Sequence, residues 1–164
     1  MVSRFASLSL RRGFTLIELM VVIAIIGVLA TMAMPMVELA RVRADEAELR
    51  TSLRQIRTAL DDYKKAWDEG RIEKKVGASG YPPSLDVLVN GVRDVKQPNE
   101  ARIYFLRRVP RDPFNKDMSI PPEQTWGLRS YASPPDEPAP GADVFDVYSL
   151  SSRTGLNGVP YRNW

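Results

Sequence analysis

Gly13, Phe14 and Glu18, preceded by Arg11 and Arg12, are the residues whose types and spacing could do chemistry here. Glu18 is a carboxylate at the mouth of a segment that is uncharged from Leu19 to Val37. In a bilayer such a group costs about 2.5–3.5 kcal/mol on insertion scales, and an intramembrane carboxylate is by default functional. Something must offset that cost. One offset is a new positive charge, made by cutting the peptide bond between Gly13 and Phe14. The freed Phe14 amine would lie one helical turn from Glu18, or beside the Glu18 of a neighbouring copy. The same residues are compatible with a secretory signal peptide cut after its apolar run, although Thr31-Met32-Ala33 offers only a weak site of that kind. They are also compatible with an uncut signal anchor whose Glu18 snorkels toward the headgroups.

Other chemistry is narrowed by composition. The chain has neither histidine nor cysteine. Ser/His and Cys/His catalysis and His-based zinc sites are therefore excluded, and no disulfide framework exists. No motif supports paired-carboxylate or Ser–Lys chemistry, so no catalytic residue and no enzymatic activity are expected. Lys and Arg total 23 against 20 Asp and Glu. The excess lies in Arg4, Arg11 and Arg12, so a chain starting at Phe14 is neutral and offers no phosphate-tracking surface for nucleic acid. The same arginines would hold the N-terminus in the cytoplasm and send the C-terminus across the membrane.

These residues need an element to position them. A helix from Phe14 to about Trp67 would span roughly 80 Å at 1.5 Å per residue. Its second half is amphipathic. Val42, Leu49, Leu53, Ile56, Leu60, Tyr63 and Trp67 recur at steps of three and four, with Glu46 at the interrupted position. Glu46–Arg50 and Asp61–Lys65 are spaced for pairing on the charged face. Pro35 removes a backbone donor and should bend or loosen the helix, and Gly70 is a plausible stop.

Beyond the helix the pattern is that of a small domain. Residues 84–89 read as a short helix with Ser84 as cap, ended by Asn90-Gly91. Residues 103–106 are extended or briefly helical. Residues 126–132 and 144–150 are strand candidates, the latter with Val144, Asp146 and Tyr148 opposite Phe145, Val147 and Ser149. Between them the proline-rich residues 133–141 form a loop. Tyr161 and Trp164 are packing anchors for a looped tail. The fold class expected is α+β: a long N-terminal helix packed on a small antiparallel sheet.

The heptapeptide from Gly13 to Leu19, Gly-Phe-Thr-Leu-Ile-Glu-Leu, resembles the cleavage and N-methylation motif of type IV pilins and type II secretion pseudopilins. Residues 81–83, 109–114 and 146–149 and the terminal Asn163-Trp164 are similar to the major pseudopilin of type II secretion. The resemblance implies a pilin-like fold and a leader, residues 1–13, removed by a prepilin peptidase that cuts between Gly13 and Phe14. It implies N-methylation of Phe14, a membrane and filament-core helix over 14–37 with its bend at Pro35, and a periplasmic domain over 38–164. Assembly would depend on Glu18. The implied partners are further copies in a homopolymer, minor pseudopilins, the inner-membrane assembly platform and the membrane itself. The implied function is a structural subunit of a pseudopilus that drives protein export across the outer membrane. A type IV pilus subunit and a membrane-tethered binding module are the alternatives.

Many major pseudopilins bind calcium in the loop after the last strand. Calcium takes about six to eight oxygens, usually with several carboxylates. From Tyr148 to Trp164 this chain has no Asp or Glu and carries Arg153 and Arg162, while Asp143 and Asp146 precede the loop. A bound metal is therefore disfavoured, and packing of Tyr161 and Trp164 is expected to hold the loop.

Overall fold

A computed structural model describes residues 13–97 and 99–164. Of the expected leader, residues 1–13, all but Gly13 lies outside the described residues. The described chain divides into two compact units after Arg41. A single α-helix, α1, is assigned from Leu16 to Asp68 without a break at Pro35. It is long and apolar enough near its start to cross a membrane.

In the second unit the stripe on α1 becomes the core. Leu49, Leu53, Ile56, Leu60 and Tyr63 are buried, together with Leu88, Leu106, Val144, Val147 and Tyr161 from the rest of the domain. Fully burying each aliphatic side chain contributes roughly 1.5–3 kcal/mol, so this face, rather than helix propensity, fixes the helix to its domain. α1 ends where expected: Gly70 follows with φ of +69°, and its N–H donates to the Trp67 carbonyl at 3.0 Å.

The next helix, α2, spans Asp86–Asn90. Ser84 does not cap it. Leu85 occupies the cap position in a helical conformation with no side-chain hydrogen bond, so the turn is held by burial of Leu85 and Leu88 instead. β1 (Val92–Arg93) pairs antiparallel with β2 (Arg102–Ile103). β1 escaped the sequence reading because two residues carry no usable alternation. β3 (Trp126–Arg129) pairs antiparallel with β4 (Asp146–Ser149), with Gly127 opposite Tyr148. Both strands are shorter than expected. Val144 and Val147 are both buried although their parity differs, because Val144 precedes the strand and donates its N–H to the Pro82 carbonyl at 2.8 Å. The architecture is α+β and pilin-like, a long helix with small antiparallel sheets.

Candidate functional site

The first unit carries Gly13, Phe14 and Glu18. Gly13 and Phe14 precede α1, and Phe14 is exposed. Thr15 stands immediately before the helix, and its Oγ1 accepts the Glu18 N–H at 3.2 Å. Thr15 is thus an N-cap, and Glu18 occupies the third helical position, where a carboxylate also complements the positive end of the helix dipole. The Thr-x-x-Glu spacing was legible as half of a capping box and was missed beside the larger question of charge. Apolar side chains from Phe14 to Leu29, together with Met36 and Val37, are exposed. An apolar surface this continuous marks a membrane or protein interface. Gly13, Phe14 and Glu18 are therefore gathered at one helix end; the Pro35 side chain lies outside the described residues.

A second polar cluster forms where α1 meets the C-terminal segment. Glu46 interrupts the apolar stripe and pairs with Arg50 as their spacing predicts, but from a buried position: it is 5% exposed. Its Oε1 accepts the Leu156 N–H at 2.6 Å and the Tyr161 hydroxyl at 3.1 Å. Arg50 lies 3.8 Å from Oε2, and its guanidinium sits over the Trp164 ring at 4.4 Å. Further along α1, Arg57 donates from Nε to Asp146 Oδ1 at 2.8 Å and from Nη2 to the Val147 and Trp164 main-chain oxygens at 3.2 and 2.8 Å. Tyr161 is fully buried, stacked on Phe114 at 4.1 Å and edge-on to Trp164 at 5.0 Å. Burial, and then the hydrogen bond to Glu46, push its hydroxyl pKa above the ordinary 10.0. The expected Asp61–Lys65 pair is replaced by Lys64–Asp68 at 2.5 Å, with Lys64 also over the Trp67 ring.

The carboxylates nearest the loop already have partners. Asp112 is buried and accepts the Ser149 hydroxyl at 2.5 Å on one oxygen and the Phe114 N–H at 2.8 Å on the other. Asp146 accepts Arg57, and Asp143 accepts the Tyr131 N–H at 2.8 Å. Arg153 stands over the Phe114 ring. Among the described residues these carboxylates form no cluster of three or more of the kind a calcium ion takes.

Comparison with known proteins decides the family. Residues 8–34 match the prokaryotic N-terminal methylation motif. The chain is 31% identical to the type II secretion system core protein G of Klebsiella michiganensis over 137 residues, covering 81% of this chain and 89% of the relative. The chain belongs to the type II secretion system core protein G family. It is 28% identical to the core protein G of Vibrio cholerae, over 93% of this chain and 90% of that one. It is also 42% identical to the type IV major fimbrial protein FimA of Dichelobacter nodosus, over 46% of this chain and 52% of that protein. No solved structure matches the chain. As a core protein G relative it is a pseudopilin, a structural subunit and not an enzyme, with an N-terminal apolar helix suited to membrane anchoring.

Proposed function

We propose that this pseudopilin is cut between Gly13 and Phe14, methylated on the Phe14 amine and polymerised through its apolar helix into a periplasmic pseudopilus that drives protein export. The observation that carries the proposal is the conjunction of an exposed apolar helix with one carboxylate in its first turn. Before assembly the helix over 14–37 spans the inner membrane once, with residues 38–164 in the periplasm. On assembly the apolar helices leave the bilayer and bury against each other in a head-to-tail array that does not close. A lone Glu18 would then be an unpaired charge in an apolar core; the Phe14 amine of another copy neutralises it. A bend at Pro35 lets the first half of the helix pack independently of the domain. Minor pseudopilins, prepilin peptidase and the inner-membrane platform are the other partners.

The test is the intact mass and N-terminal sequence of membrane-extracted protein, made with and without a prepilin peptidase. A peptidase-dependent chain starting at Phe14 and heavier by one methyl group is expected. A chain starting at Met1 in both preparations would return the protein to an ordinary signal anchor. The FimA similarity favours one second assignment, a type IV pilus subunit. Loss of twitching or transformation with intact secretion, in a strain lacking the gene, would select it.

A further inference from the structure

We infer that the Glu46 carboxylate, not a divalent cation, anchors the C-terminal loop of this pseudopilin. Three observations carry the inference. The loop after β4 holds no carboxylate side chain of its own through Trp164. Among the described residues the one side-chain carboxylate that enters it comes from α1: Glu46 Oε1 accepts both the Leu156 N–H and the Tyr161 hydroxyl. Leu156 lies within the turn closed by the Gly158 N–H on the Gly155 carbonyl, and Tyr161 follows the Thr154–Pro160 bridge, so one oxygen ties both the tip of the loop and the segment after it to the helix.

The electrostatics point the same way. A carboxylate accepting two donors in a buried site makes charge-assisted bonds, which are about twice as strong as neutral ones. Its negative charge is balanced by Arg50, and Arg153 adds a second guanidinium to the loop itself. A calcium ion at Glu46, Asp112 or Asp146 would compete with donors already in place, and the described residues hold no group of three carboxylates able to take one. A carboxylate on the buried stripe of a helix is otherwise a liability, since a buried charge without partners is strongly destabilising. Its position there is explained by the loop it holds.

The experiment uses the full-length protein in detergent and follows backbone hydrogen exchange over residues 153–164. In the wild type, protection should be equal in excess calcium chloride and in excess EGTA. In Glu46→Leu, which completes the apolar stripe and so spares the helix, protection of this segment should fall by at least about tenfold, as for a lost buried hydrogen bond to a charged group. Tyr161→Phe removes one of the two bonds and should give a smaller fall. Protection that collapses in EGTA, or that rises with calcium, would overturn the inference without any variant. Protection that survives in a folded Glu46→Leu protein would overturn the role of Glu46.

Discussion

Arg57 Nε lies 2.8 Å from Asp146 Oδ1, joining the C-terminal part of the long helix to the first residue of β4. The same guanidinium reaches the main-chain oxygens of Val147 and Trp164, so one side chain ties helix, strand and tail together. Both partners are about one-third exposed, and water weakens the charge term accordingly. Most of the worth of Arg57 is therefore in its fork of hydrogen bonds. Arg57→Ala should destabilise the domain by about 1–2 kcal/mol. A double-mutant cycle with Asp146→Asn should give a coupling below about 1 kcal/mol that shrinks with salt. Denaturant titration of the four proteins checks both.

Gly127 faces Tyr148 across the β3–β4 ladder, and a Cβ there would run into the tyrosine ring. Gly127→Ala should cost about 1–3 kcal/mol through overpacking. Adding Tyr148→Ala should return part of that loss, which a thermal melt of single and double variants would read.

Asp94 is buried, and its carboxylate accepts two N–H groups of Arg71 and the Lys96 N–H. The Arg71 hydrogen bonds, foremost, hold its pKa below the ordinary 3.8. A depressed folded-state value means stability that is present above the unfolded value and lost as pH falls through the folded one. The domain should therefore weaken on acidification below about pH 4. Asp94→Asn should be less stable near neutrality and should lose that part of the acid dependence, as melts across an acid pH series would show.

Tyr161 titrates in the opposite sense. Its raised pKa favours the neutral hydroxyl in the folded state, so its contribution is complete below the ordinary 10.0 and declines as pH rises through the folded value. Tyr161→Phe should lose the Glu46 bond at every pH and show a shallower fall in melting temperature above about pH 10.

The helix was legible because its stripe repeats with helical period over many turns, and Leu49 to Tyr63 are buried as that period requires. Gly70 ended it for a local reason, the left-handed conformation it adopts. The short elements were not legible in the same way. Ser84 resembled a cap, but tertiary burial of Leu85 and Leu88 decided where α2 begins. Thr15 could have been recognised as a cap from Thr-x-x-Glu alone. Glu46 shows the other limit: its place on the stripe was visible, but its partners lie at Leu156 and Tyr161, and no local pattern announces a contact that distant. An acidic residue breaking an otherwise regular buried stripe was the available signal.

The central claim is that Glu18 makes this helix an assembly element, and electron microscopy of filaments tests it most directly. The protein would be overproduced with its secretion machinery, as wild type and as Glu18→Ala, with membrane fractions blotted for both. The wild type should give filaments and Glu18→Ala none, with equal insertion and processing of the two. Normal filaments from Glu18→Ala would contradict it.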